Sequence, residues 1–207
     1  MIKKQVILVG GGGHAKACLD VIESDSTWQL KGYLDVKQTL SDSYGIEYLG
    51  SDLEVSKYVH EAQFLITIGQ LGHSTTRERL YNELKGLNAA FATVKSSNAI
   101  ISKKSIIGKG SIIMHGTILQ TDTFIGENCI VNDRVLIEHD SIIGDHCHIS
   151  TGAIINGGVK IGNSVFIGSG AILRNGITVG DNCVIGMGAI VTKSVGNGVT
   201  VFGNPAK

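Results

Sequence analysis

The chain has 207 residues, is 43% hydrophobic, and carries 18 basic and 18 acidic side chains for a net charge of zero. That is enough apolar material for one large or two small domains. The balanced charge offers no basic field to nucleic acid or a membrane surface, and every apolar run falls far short of the ~20 residues of a membrane span.

Residues 1–10 open like a secretion signal, but the apolar run is short and glycines follow at once. The better reading is a buried first strand over Gln5–Val9 in a cytoplasmic protein. Gly10-Gly11-Gly12-Gly13-His14-Ala15-Lys16 comes next and opens a helix, with apolar positions at Ala15, Cys18, Leu19 and Ile22. Bare amides at a helix N-terminus cradle phosphate, and the spacing Gly10-x-Gly12-x-x-Ala15 is close to a dinucleotide fingerprint. Asp35 ends a second strand over Gln29–Leu34, where it can accept from a ribose hydroxyl or simply form a turn. Ser51-x-x-Glu54 and Thr75-x-x-Glu78 fit capping boxes that open helices. Phe64–Ile68 reads as a third strand and Ala89–Val94 as a fourth. Strand–helix alternation predicts a small, Rossmann-like α/β unit with a parallel sheet over residues 1–95. It has room for one nucleotide rather than a dinucleotide.

From Ile101 to Val195 the grammar changes. Ile, Leu or Val stands at every sixth position from 101 to 191, and four residues after each comes a small or branched residue. A strict short period is a solenoid signature. Three six-residue sides make a triangular coil of eighteen, and Gly108, Gly126, Gly144, Gly162 and Gly180 recur at that spacing. The fourth residue of a repeat is Gly, Asn or Asp in eleven of sixteen cases, as corners in the left-handed region require. Sixteen repeats predict about five coils, a prism roughly 25 Å tall at the ~4.8 Å strand spacing. This parallel β-helix fills residues 96–207.

The register assigns roles. Cys129, Cys147 and Cys183 hold the small inward position and read as packed free thiols in a reducing compartment. The most polar stretch runs from Asn132 through Glu138-His139-Asp140 to His146 and His148. His139 lies near a corner, and Asp140 at a corner position has a backbone reason of its own. One coil beyond His139 stand Gly157 and Gly158, which leave open space beside the imidazole and a backbone amide as an oxyanion donor. A histidine with an adjacent carboxylate is the minimum for general-base work near neutral pH. His115, His146 and His148 raise a zinc site, but the spacing of a zinc β-helix enzyme is missing, and no metal is expected.

Together, the loop at 10–16, Gly32-Tyr-Leu-Asp35, Thr67-Ile-Gly69, Ile137-Glu-His-Asp140 and Gly203-Asn204-Pro205-Ala-Lys207 resemble the bacterial hexapeptide-repeat acyltransferases. The likeness is to their sugar branch, which includes sialic acid O-acetyltransferases and the N-acetyltransferases of UDP-4-amino sugars and GDP-perosamine. It implies a left-handed coil, acetyl-CoA as donor and a homotrimer with active sites between prisms. His139 would be the general base and Asp140 its orienting partner, with direct transfer in a ternary complex. Gly10 to Gly13, His14, Asp35, Gly69 and Asn132 would serve the sugar nucleotide. His148, Gly157, Gly186, Gly188, Ala189, Asn204 and Pro205 would lie along acetyl-CoA. Gln70 departs from the Asp or Asn that many relatives carry. The expected activity is N-acetylation of a nucleotide-linked amino sugar of the UDP-4-amino-4,6-dideoxy type, for a surface glycan or glycoprotein. The alternatives are O-acetylation of sialic acid or another sugar, and a non-catalytic nucleotide-binding scaffold.

Overall fold

The computed structural model describes residues 3–40, 44–72 and 75–207. The N-terminal unit is a three-stranded parallel sheet in the order β2-β1-β3, made of β1 (Lys4–Val9), β2 (Trp28–Leu34) and β3 (Gln63–Ile66). Helix α1 (Gly13–Ser24) buries Ala15, Cys18, Leu19, Val21 and Ile22 against it, and α2 (Thr75–Gly86) buries Leu80, Tyr81 and Leu84.

Three local expectations change. Ser51 opens a 3-10 helix over Asp52–Lys57 rather than an α-helix, and its side chain makes no capping bond. The segment is short and wholly outside the core, so nothing favours α over the tighter turn. The third strand stops at Ile66, where the chain turns to line a cleft. Ala89–Val94 is not a continuous strand. Only Phe91 bridges to Phe64, while Val94–Lys95 pairs with Ile112–Ile113 and opens the second architecture. The capping residue for α2 falls outside the described residues, because the helix already includes Thr75.

The second architecture is a parallel three-sided solenoid. Its first face stacks Val94–Lys95, Ile112–Ile113, Ile130–Val131, His148–Ile149, Phe166–Ile167, Val184–Ile185 and Thr200–Val201. The second stacks Ile100–Ile101, Ile118–Leu119, Leu136–Ile137, Ile154–Ile155, Ile172–Leu173 and Ile190–Val191. The third stacks Ile106–Ile107, Phe124–Ile125, Ile142–Ile143, Lys160–Ile161 and Thr178–Val179. Eighteen strands make about six turns, one more than the repeat count alone indicates, because pairing starts at Val94 and continues to Val201. The eighteen-residue register holds until the last coil. There Val195 bridges Val179 and Val201 pairs with Ile185, sixteen residues apart in each case. The final turn is therefore two residues short.

The second residue of each strand points inward, and the core is the stack Ile113, Val131, Ile149, Ile167, Ile185 with its counterparts on the other faces. Cys129 and Cys147 are free and fully buried, donating to the carbonyls of Gly144 and Gly162 at 3.1 and 3.0 Å. Fourteen of the sixteen corners have positive φ. Arg134, His146 and Ser164 are among them at φ 56°, 60° and 55°, so the coil imposes the left-handed conformation even where the sequence does not favour it.

The glycines at the edge between third and first faces have a different cause. A Cβ on Gly144 would meet the Gly162 carbonyl oxygen at 2.6 Å and Asn163 Oδ1 at 2.7 Å. This edge carries a side-chain ladder. Asp145, Asn163, Asp181 and Asn197 each accept, through Oδ1, the corner amide one coil earlier: those of Glu127, Asp145, Asn163 and Asp181.

The N-terminal unit sits on the first face. Val94, Ile112, Met114 and Ile130 of the prism share one core with Val6, Leu8, Ala15 and Leu19. At about 1.5–3 kcal/mol per buried aliphatic side chain, this contact makes the two parts interdependent. No helix among the described residues is long and apolar enough to cross a membrane. We expect Gly144→Ala to lower stability by about 1–3 kcal/mol through overpacking between coils, read as a lower urea midpoint with an unchanged m-value.

Candidate active site

The sequence-predicted residues divide into three groups at different places around the prism. The first group surrounds a cleft of about 560 Å³ in the N-terminal unit, lined by Gly10, Gly12, Gly13, His14, Asp35, Gly69, Gln70 and His148 among others. Gly11 alone of the glycine run does not line this space, and the four differ in why they are glycine. Gly10 has φ 106°, and a Cβ there would sit 2.6 Å from Ile68 Cγ1. A Cβ on Gly11 would sit 2.2 Å from Thr39 Oγ1. These two glycines are demanded by packing. Gly12 and Gly13 have nothing within 4 Å of such a Cβ, and they stand where α1 begins, with its amides directed at the cleft. Asp35 Oδ2 accepts from the Gly11 amide and the Thr39 hydroxyl, both at 2.8 Å. Its first job is therefore to fix the loop, although it also lines the cleft.

His148 is on the first face of the prism and forms part of this cleft rather than a separate site. Its Nδ1 donates to the Gln70 carbonyl at 2.7 Å, so Nε2 carries the lone pair of the neutral ring. That nitrogen is buried and has no hydrogen-bond partner. The edge of the imidazole meets Phe166 at 5.3 Å between centroids. Gln70 thus contributes its backbone, while its side chain donates to the Gly72 carbonyl at 3.1 Å. Burial, reinforced by Arg77, pushes the His14 pKa down to about 3, and burial pushes His148 down to about 4. Both rings are neutral at physiological pH. Arg77 itself is 1% exposed. It donates from Nη1 to the carbonyls of Ile66 and Ile68 at 2.6 and 2.9 Å, and from Nη2 to Asn128 Oδ1 at 2.8 Å. Sequence reasoning did not single it out; its only signal was a cation in the first turn of a helix with an apolar inner face.

The second group is at the edge between second and third faces. This edge lies opposite the first face, because each coil visits the three faces in turn. His139 and Asp140 follow Leu136–Ile137 and are exposed. Asp140 takes the corner conformation, φ 59°, and in that conformation its Oδ2 accepts from His139 Nδ1 at 2.7 Å. Its backbone reason and its orienting contact coexist. The bond to Asp140 raises the His139 pKa. His139 Nε2 then faces Gly157: a Cβ on Gly157 would come within 2.8 Å of both Nε2 and Cε1. The Gly158 amide donates to the His139 carbonyl at 2.9 Å. The Gly157 amide makes no hydrogen bond among the described residues, although Asn175 stands one coil beyond it. The imidazole edge of His139 thus packs directly against Gly157.

Asn132 and the C-terminal residues lie at the third edge, between first and second faces. Asn132 Oδ1 accepts from the Asp133 amide at 2.8 Å. Gly186 and Gly188 flank Met187 there; Met187 and Phe202 are 82% and 68% exposed and form an apolar rim that sequence reasoning did not single out. Ala189 is different: its side chain is in the core, so only its backbone faces outward. Asn204 and Pro205 are exposed, joined by a cis peptide. Among the described residues, no group of three or more His, Cys, Asp or Glu side chains could hold a metal ion.

Comparison with known proteins follows the same division. Residues 5–84 match the PglD N-terminal domain, residues 122–157 the bacterial transferase hexapeptide, and residues 158–193 the hexapeptide repeat of succinyl-transferase. The chain thus pairs a PglD-type N-terminal domain with bacterial transferase hexapeptide repeats. Over 114 residues it is 33% identical to the UDP-N-acetylbacillosamine N-acetyltransferase of Bacillus subtilis, a match spanning 54% of this chain and 51% of that one. The acetyltransferase domain of PglB from Neisseria gonorrhoeae, solved with acetyl coenzyme A, superposes with a TM-score of 0.91 at 28% identity, covering 99% of this chain and 98% of the other. PerB from Caulobacter crescentus, solved with CoA and GDP-perosamine, gives 0.90 at 25% identity, covering 98% and 96%.

The cleft histidines make stability depend on pH. Their folded pKa values lie below the unfolded value of about 6.5, so their contribution is complete above that value and is lost as pH falls toward the folded values. Between pH 7 and pH 5 each costs about 2 kcal/mol. We expect urea unfolding at pH 5 to show this loss, and a His14→Gln variant to show roughly half of it.

Proposed function

We propose that this protein transfers the acetyl group of acetyl-CoA to the amino group of a nucleotide-linked amino sugar, of the UDP-4-amino-4,6-dideoxy type, in the synthesis of a surface glycan or glycoprotein. The observation that carries this reading is the His139 Nε2 edge packed against Gly157, whose amide is uncommitted, with Nδ1 held by Asp140 at 2.7 Å. His139 takes the proton as the acceptor nitrogen attacks the thioester carbonyl. The Gly157 amide stabilises the oxyanion, and CoA leaves as the thiolate. Transfer is direct, because the three prism cysteines are buried and cannot reach a substrate. The N-terminal cleft holds the nucleotide, with α1 amides toward phosphate. The apolar rim of Met187 and Phe202 borders the path of CoA.

A single chain keeps this base and this cleft apart, on opposite sides of the prism. A second copy that lays its cleft against the His139 edge completes the site, which supports the homotrimer. The outer side of the second face supports it too. Ile100, Ile118, Leu136, Ile154, Ile172 and Ile190 all point outward there, with Ile100 66% exposed in the single chain. Such a continuous apolar strip on a flat sheet calls for a partner.

Release of CoA thiol with a panel of UDP- and GDP-linked amino sugars tests the reaction. At least one sugar is expected to stimulate release, and His139→Ala to reduce it by about 10²–10⁴-fold. No stimulation by any sugar, with His139→Ala indistinguishable from wild type, would overturn the reading. The raised His139 pKa sets the sign of the pH dependence: the neutral ring is the base, so activity rises with pH through its midpoint. Asp140→Asn removes the contact that raises that midpoint. Its acid limb should move to lower pH while its plateau rate falls, and an unmoved limb would exclude Asp140 as the orienting group. Ile154→Asp should give a folded monomer by light scattering that has lost transferase activity.

A further inference from the structure

Arg77 is the feature that neither the chemistry nor the fold rules above account for. It is a fully buried cation, beneath the cleft and far from the His139 edge. We propose that Arg77 is a positioning residue for the cleft: its guanidinium clamps the end of β3 to the prism and so fixes the Gln70 carbonyl that holds His148 Nδ1–H, leaving Nε2 as a hydrogen-bond acceptor. The inference rests on the reading of the cleft as the nucleotide-sugar site.

Geometry carries the first half. Nη1 donates to the carbonyls of Ile66 and Ile68, and Nη2 to the backbone carbonyl and side chain of Asn128 at 3.1 and 2.8 Å. Ile66 ends β3, and Ile68 directly precedes Gly69 and Gln70, which line the cleft. Asn128 belongs to a prism corner and also donates to His146 Nδ1 at 3.0 Å. One side chain therefore sets the loop that carries Gln70 relative to the sheet that carries His148. The Gln70–His148 bond spans these two parts.

Charge carries the second half. The groups facing the two histidines are Arg77 from α2, Cys18 from α1, whose sulfur lies 3.5 Å from His14 Nε2, Gln70 and Phe166 against His148, and each histidine against the other. Asp35 lines the far side of the cleft, and Asp133 approaches Cys18 from the prism. Burial acts first on both rings; on His148 the bond to the Gln70 carbonyl opposes it, and Arg77 adds to burial on both. Protonation of His148 would convert Nε2 into a donor. The cleft would then reject the N–H or O–H group that the lone pair accepts. A buried ammonium in place of the guanidinium keeps the charge but not the forked geometry.

The test uses the full chain, with Arg77→Gln and Arg77→Lys beside wild type, each checked for fold and oligomeric state. Imidazole nitrogen spectra are recorded between pH 4.5 and 8. In wild type, His148 is expected as the neutral Nδ1–H form down to pH 5. In Arg77→Gln the proton affinities of His14 and His148 should rise at least about threefold, and Arg77→Lys should return them toward wild type. With the nucleotide-sugar substrate, Arg77→Gln should raise KM about tenfold at pH 6 and less at pH 8, with a smaller effect on kcat, because Arg77 shapes the cleft and does not touch the reacting atoms. Unchanged histidine titrations in a folded Arg77→Gln protein would overturn the inference. If neither variant folds, a wild-type His148 that titrates near 6.5 overturns it equally. The spectra need no substrate, so a cleft that binds no nucleotide would sink the functional reading while leaving the histidine result legible.

Discussion

Everything in this molecule depends on the in-register stacking of coils eighteen residues apart. Each two-residue strand hydrogen-bonds only to the coil before and the coil after. A coil cannot slip by one position without turning its aliphatic row from the core to the solvent. This constraint removes side chains at Gly126, Gly144 and Gly162, where stacked corners approach within van der Waals contact. It forces Arg134, His146 and Ser164 into the left-handed conformation. It also places Gly157 against His139, because 157 is 139 plus one coil. The contact between His139 and Gly157 is thus a by-product of the period.

The second determinant is where the N-terminal unit docks. The first face presents Ile112 and Ile130 outward, both fully buried under the unit's sheet and α1. The other two faces carry no such cover. Docking on one face automatically leaves the opposite edge, with His139, open to approach by another molecule. It also recruits His148, an outward residue of the first face, into the floor of a cleft otherwise made by β1, β3 and their loops. The chain thereby keeps the cleft and the His139 edge apart in space and leaves the apolar second face uncovered.

The two sites are electrostatically opposite. His139 is exposed and held by a carboxylate, so its proton affinity is increased and its ring orientation set. His14 and His148 are buried over a guanidinium, so they are held neutral. A base that cycles a proton needs water access and a partner; a recognition surface needs a fixed donor and acceptor pattern. The same residue type meets both needs because burial and neighbouring charge act in opposite directions on it.

The sequence by itself determined the solenoid, the inward position of the cysteines, the strand–loop–helix start of the N-terminal unit and the pairing of His139 with Gly157. All of these follow from a period or from a few adjacent residues, and local spacing is what a sequence displays. Only the tertiary structure decided that Gly10 and Gly11 are demanded by packing whereas Gly12 and Gly13 are not, that Asp35 first anchors the loop, and that Arg77 is buried between the end of β3 and the prism. Those outcomes depend on contacts such as Arg77 with Asn128 and His148 with Gln70, which are 51 and 78 residues apart in the chain. The repeat fixes where residues stand along and around the prism, but not which face the preceding unit covers. That choice is made by the fit of two apolar surfaces, which no period encodes.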